Sequence, residues 1–193
     1  CNSGNINSTD LWMAGGILNN YGIINTNRVL VSAGGVYNNY VSGIANLDSI
    51  LITELNSKLN NYGSITTIRL GNTDNAAVLN ASSAFINADY IGDSLAQFNN
   101  NLNGTITINF DFYNAYSSNF INAGVMDIAR DFLNSTSATF ETYCMMGVGR
   151  DWYNTATVLG PILASGCGGF AVAGGTYNTG NLGNSTTRID ICD

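Results

Sequence analysis

DFLNSTSATF (131–140) has a counterpart twenty residues earlier, DFYNAYSSNF (111–120), and another twenty residues later, DWYNTATVLG (151–160). Asp, aromatic, bulky apolar and Asn keep register through all three copies, and Arg130 and Arg150 precede the second and third. Elsewhere the pattern thins to an Asn directly preceded by a large apolar residue. Those asparagines are Asn19, Asn38, Asn60, Asn80, Asn99, Asn114, Asn134, Asn154 and Asn178. Their spacing averages about 20 residues, a period that signals a repeat architecture. Extra copies at Asn87 and Asn122 fall between them.

A second signature overlaps the first. AGG starts the related stretches at Ala14, Ala33 and Ala173, and LNNYGSITT at Leu59 resembles LNGTITINF at Leu102. Each unit contains short alternating runs such as RVLVSA and TITINFDF, cut by Gly or Asn turns, which read as strands. The expected fold is all-β: a parallel β-helix, or β-solenoid, of about nine coils, forming a single domain over 1–193. One coil cannot bury its apolar side, but a stack makes a continuous core. Coils stacked at the ordinary strand spacing of ~4.8 Å give a rod of roughly 40 Å. An inward Asn has two N–H donors and a carbonyl acceptor, so stacked Asn side chains satisfy one another as a ladder. On this reading the nine asparagines form the ladder and turn the corner, while the residue beside each fills the core or stacks.

Two alternatives compete. Asn-rich composition alone generates some of the matches. An α/β fold is suggested by NLDSILITELNSKLNNYG, where Leu47, Ile50, Leu51, Leu55 and Leu59 have helical spacing, and by NAGVMDIARDFLNS. The repeat runs across both segments, which leaves a short helical insertion near 47–60 as the residual expectation.

Composition bounds the function. The 193 residues carry a net charge of −7, with only six Lys and Arg against thirteen Asp and Glu. Such a chain is a poor holder of nucleic acid phosphates or anionic lipid. Polarity comes from 30 Asn and 33 Ser and Thr. No apolar run is long enough for a membrane-spanning helix. The start at Cys1, with no charged segment followed by an apolar run, reads as a processed end. Low charge and high Asn, Thr and Tyr suggest an oxidising extracellular setting.

GGILNNYGIINT and NFINAGVMDIARDFLNSTSATF resemble the degenerate repeats of β-helical surface adhesins of Gram-negative bacteria, the filamentous-haemagglutinin and autotransporter-passenger type. CGGFAVAGGTYNTGNLGNSTTRIDICD resembles repeat modules of Bacteroidetes secreted surface proteins. The resemblance covers most of the chain through repeats of low information. It implies a parallel β-helix, secretion, and adhesion or surface structure, with no catalytic residues to transfer.

Enzyme signals are weak. GDSL (92–95) is the serine motif of lipolytic hydrolases, but the chain has no histidine to act as base. Polysaccharide lyases on β-helices need a Lys or Arg base near an acidic calcium site. Stacked Asp111, Asp131 and Asp151 beside Arg130 and Arg150 are the only candidate for calcium or a uronate, set against a plain turn ladder in which arginines offset carboxylates. Tyrosines next to ladder asparagines (Tyr37, Tyr113, Tyr153, Tyr177) form a stripe for sugars or adhesion, unless they fill the core. Sequons at Asn7, Asn80, Asn103, Asn134 and Asn184 match chance for this composition.

The four cysteines, Cys1, Cys144, Cys167 and Cys192, lack C-x-x-C spacing and suit disulfides better than zinc. Cys144 with Cys167, or Cys167 with Cys192, could bridge neighbouring coils, while Cys1 and Cys192 would meet only between subunits. With no helical or charged cap apparent, end-to-end assembly into a fibre is expected. The function read from sequence is a secreted, non-enzymatic structural or adhesive surface protein, self-associating head to tail into a filament or forming part of a longer adhesin. The rivals are a β-helix that binds host or matrix glycans and one that processes polysaccharide. No cofactor other than calcium is suggested.

Overall fold

The computed structural model describes residues 1–143, 146–159 and 170–183. The chain winds into a parallel β-solenoid of about eight turns, with no helix among the described residues. Nine rungs stack in two sheets, every strand pairing parallel with its counterparts one coil away. Rungs 1–6 each hold a long and a short strand: Asn5–Ala14 with Ile17–Asn20, Ile23–Ser32 with Val36–Asn39, Ile44–Ile52 with Lys58–Asn61, Ser64–Thr73 with Ala77–Asn80, Phe85–Ser94 with Gln97–Asn100, and Thr105–Ala115 with Asn119–Asn122. In rungs 7–9 the long strand is split: Val125–Ile128 and Phe132–Asn134 precede Thr139–Thr142, Met146–Val148 and Trp152–Asn154 precede Thr157–Leu159, and Phe170–Val172 and Thr176–Asn178 precede Asn181–Gly183.

The long strands are bent, and their burial pattern shows where. In Ile23–Ser32 the buried residues are Ile24, Thr26, Val29 and Val31, with Asn27 and Arg28 both outward between them. The ladder skips the same place, pairing Thr26 with Leu47 and then Arg28 with Ser49. Each coil therefore presents three inward segments, two from the long strand and one from the short. From rung 6 the bend gains a residue, marked by a register shift between Ile108 and Asp111. The longer perimeter coincides with most of the core's aromatic rings, Tyr37 of rung 2 and Phe98 of rung 5 preceding it. Phe98, Phe120 and Phe140 stack in one column, and Phe112, Phe132 and Trp152 in another. The two columns meet edge to face, with Phe112 4.8 Å from Phe120. Rungs 2–4 are filled by Val29, Val31, Ile50, Ile52 and Leu70 instead. Each fully buried side chain of this size contributes roughly 1.5–3 kcal/mol.

The bend also explains the false helix. Residues 44–52 are strand and 58–61 are strand, with a turn between them. Inward residues follow the order Ala45, Leu47, Ile50, Ile52. The two outward residues at the bend turn one step of two into a step of three, which mimics helical periodicity. Leu55 is exposed, between Glu54 and Asn56 at φ 72° and 69°. Residues 122–135 behave likewise: Met126, Ile128 and Phe132 all point inward from strands.

The return from the short strand to the next coil is tight. A Cβ on Gly124 would lie 2.1 Å from the Gly104 carbonyl oxygen, so only glycine permits the stacking there.

Candidate functional site

Two columns of buried amides run along the inside. The first lies where the short strand ends: Asn2, Asn20, Asn39, Asn61, Asn80, Asn100 and Asn122, reaching Thr142. The amide nitrogen of each rung donates to the side-chain oxygen of the next at 2.7–2.9 Å, lengthening to 3.2 Å at Thr142 Oγ1. The same nitrogens also donate to main-chain carbonyls beyond the turn, as Asn39 does to Ser64 O at 3.0 Å. A column of this kind satisfies buried amides and pins the turn at once.

The second column lies where the second inward segment ends. Val31 and Ile52 occupy it in rungs 2 and 3, and it turns polar at Asn72. Asn72 Nδ2 donates to Asp93 Oδ1 at 2.9 Å, and Asn114, Asn134, Asn154 and Asn178 continue at 2.8 Å per step. The opening motif is thus one corner repeated. Phe112, Phe132 and Trp152 fill the core, Tyr113, Leu133 and Tyr153 point outward, and the Asn returns inward.

Of the asparagines singled out from sequence, Asn80 lies in the first column and Asn114, Asn134, Asn154 and Asn178 in the second. Asn19, Asn38 and Asn60 form a separate, half-buried outer ladder, Asn38 donating to Asn19 at 2.7 Å and Asn60 to Asn38 at 2.8 Å. Asn99 lies on the same outer side. The inner residues there are the next ones along, Asn20, Asn39, Asn61 and Asn100. Adjacent strand residues point to opposite sides, so in Asn-Asn pairs after an inward apolar residue the second Asn is the internal one. That alternation was the available signal.

Asp93 is the exception in its column. It is 1% exposed, its Oδ2 is buried without a hydrogen-bond donor, and burial pushes its carboxyl up to about 8 against the opposing Asn72 hydrogen bond. Asn114 stands opposite it in the next rung. Asn114 Oδ1 accepts from Ser118 Oγ in its own rung, and a second donor from rung 5 would continue the nitrogen-to-oxygen run of the column. A neutral carboxyl has an O–H that can do this; a carboxylate does not.

The Asp111, Asp131 and Asp151 series sits at the widened bend. Asp131 N–H donates to Asp111 Oδ1 at 3.3 Å, Asp151 N–H to Asp131 Oδ1 at 3.3 Å, and Gly175 N–H to Asp151 Oδ1 at 2.8 Å. Arg150 Nε donates to Asp131 Oδ1 at 2.7 Å and its Nη2 to Oδ2, and Arg130 Nε lies 3.5 Å from Asp111 Oδ1. The Arg150 hydrogen bond holds the Asp131 carboxyl below its usual range. These carboxylates staple successive coils and pair with arginine, the arrangement of a turn ladder. Among the described residues no group of three or more His, Cys, Asp or Glu is placed to hold a metal ion. Because the Arg150–Asp131 pair is half exposed, Arg150→Ala is expected to lower the urea midpoint only slightly. Urea melts in low and high salt should show that difference shrinking as salt rises.

The outer side of the second segment carries a different column: Trp12, Leu30, Leu51, Gly71, Gly92, Tyr113, Leu133, Tyr153 and Tyr177 lie in register. Tyr153 and Tyr177 stack at 4.8 Å, and the Tyr113 and Tyr153 hydroxyls donate to Asp111 and Asp151. Tyr37 alone among the tyrosines named from sequence lies in the core. At the opposite corner Tyr21, Tyr40 and Tyr62 stack with centroids 4.3 and 5.8 Å apart.

The remaining motifs are quickly placed. GDSL ends a long strand, with Asp93 inside and Ser94 half-buried outside. Cys1 is exposed and free, and Cys144, Cys167 and Cys192 lie outside the described residues. Sequon residues Asn80 and Asn134 are fully buried, Asn7 and Asn103 are exposed, and Asn184 lies outside the described residues. Comparison with protein-family models, with curated proteins and with solved structures gives no match.

Proposed function

We propose that this chain is a non-enzymatic structural and adhesive solenoid of the extracellular face or cell surface, associating end to end with copies of itself. The observation that carries the reading is the use of the polar residues. Asn side chains are spent on stacking coil upon coil, and acid groups at the widened bend are spent on the coils above and on arginine. What this leaves outside is an extended, weakly charged surface with repeating aromatic and amide columns, suited to lateral contact along its length.

Electron micrographs and sedimentation of the purified chain at rising concentration test the assembly. Rods and fibres that lengthen with concentration are expected. A species that stays monomeric at high concentration would remove the self-association. The adhesive half is tested by coating beads with the chain and scoring their attachment to cells or extracellular matrix.

A second reading, recognition of glycans, is favoured by the aromatic column of the second segment.

A further inference from the structure

Gly71 and Gly92 sit on adjacent rungs within regular strands, and the fold does not explain Gly92. Neither glycine has a left-handed φ. A Cβ on Gly92 would meet nothing within 4 Å, and one on Gly71 would touch only the end of the Leu51 side chain, at 3.0 Å. Glycine weakens a strand interior and often marks a place where a ligand or another backbone comes close. Here the two glycines interrupt an otherwise bulky outer column, leaving a groove of about 440 Å³. Its floor is bare strand backbone. Tyr113, 43% exposed, and Tyr116 wall it, and Thr73 and Ser94, paired in register beside the glycines, lie along it, the Thr73 hydroxyl bonded to Thr53 and Asp74 and the Ser94 hydroxyl adding a polar group.

We propose that this groove binds one ring of an uncharged polysaccharide, the rest of the chain running along the outer column over Leu133, Tyr153 and Tyr177. The chemistry of the walls selects the occupant. An aromatic face next to hydroxyls suits a sugar ring, which has an apolar C–H face and a polar rim. The one ionisable carboxyl of the lining, Asp93, is turned inward and 1% exposed, so nothing in the groove attracts a charged ligand. The net charge of −7 works against anionic polysaccharide and nucleic acid. This proposal rests on the adhesive reading and names its ligand class.

Affinity electrophoresis through gels containing β-glucan, xylan or mannan, with alginate as the charged control, tests it. The wild-type chain should be retarded by at least one neutral polymer and not by alginate. Gly92→Val fills the groove with a residue that favours strands. It should keep or raise the unfolding midpoint while weakening retardation at least ~tenfold, the scale of one lost aromatic stacking contact. Tyr113→Ala should weaken it similarly, and Tyr62→Ala, at the far corner, should leave it unchanged. Absence of retardation by every neutral polymer, retardation by alginate alone, or full binding by Gly92→Val overturns the proposal. So does a Gly92→Val chain that loses self-association in sedimentation, which would assign the groove to a second copy. Fibre formation by a wild-type chain that binds no polysaccharide would leave the structural reading standing and remove only this one.

Discussion

Asn100→Ala is expected to lower unfolding free energy by about 3–5 kcal/mol, whereas Asn99→Ala, one residue away, should cost less than about 1 kcal/mol. Asn100 is buried and occupies the middle of the first column. Its Nδ2 donates to Asn122 Oδ1 at 2.7 Å and to the carbonyls of Gly104 and Val125 at 3.2 Å, and its Oδ1 accepts from Asn80 at 2.8 Å. Truncation takes the column donor from fully buried Asn122 Oδ1, the Nδ2 donor from the Gly104 and Val125 carbonyls, and one of three acceptors from Asn80 Nδ2, which keeps the Ala84 and Thr105 carbonyls. Each buried polar group left without a partner costs about 1–3 kcal/mol, far more than the net value of a made hydrogen bond. Asn99 is half-buried on the outer side, where water can replace what is lost. Urea melts of the two variants decide the matter. Equal effects would mean that the column does not hold the coil together. Because neighbours in one network couple, Asn100→Ala combined with Asn122→Ala should cost less than the two single effects added. A break in mid-column should also loosen the coupling between the two halves of the stack, as in other repeat architectures.

The contrast between Asn99 and Asn100 shows where sequence reasoning reaches and where it stops. The twenty-residue recurrence of Asp, aromatic, bulky apolar and Asn does correspond to vertical stacking: Asn114, Asn134 and Asn154 are bonded neighbours. Composition and period sufficed for that, because stacking demands the same residue type at the same phase. They did not separate the two amide columns. Asn80 and Asn114 occupy different corners, yet both follow a large outward residue, Leu79 or Tyr113, and the motif alone looks the same. The bend was hidden for a related reason. Its two consecutive outward residues break strand alternation at Asp48 and Ser49 and leave Leu47 and Ile50 at a helical interval. The groove was hidden too, since nothing marks Gly71 and Gly92 as neighbours on one outer face until their strands are paired. Asp93 attracted notice only as part of GDSL, although it lies 21 residues from both Asn72 and Asn114, in phase with the second column.

Asp93→Asn is expected to stabilise the fold at neutral and alkaline pH, and the gain should vanish in acid. Burial raises the Asp93 carboxyl from 3.8 to about 8. Below the unfolded value both states bind the proton, and the neutral acid sits in the column at no electrostatic cost. As pH rises from about 4 to 8 the unfolded chain releases that proton while the folded chain retains it, so stability falls. Above the folded value both states are ionised and the loss is complete. At about 1.4 kcal/mol per pH unit the loss is on the order of 6 kcal/mol. The substituted amide supplies a permanent donor toward Asn114 and has nothing to titrate. Asp131 works in the opposite sense. Its carboxyl is held low by Arg150, so its contribution is present above the unfolded value and is lost as pH falls; because the partner Arg150 is half exposed and the pair is screened by solvent, it is small. Urea midpoints at pH 5, 7 and 9 separate the two. The wild-type midpoint should drop across the series while that of Asp93→Asn stays level, the curves converging toward pH 5. Parallel curves would show that Asp93 ionises in the fold as it does in water, and the column would then have to be discontinuous between Asn72 and Asn114. A falling wild-type curve would instead make the carboxyl a proton-dependent link in a chain of amides, set directly behind the outer face at Gly92 and Tyr113.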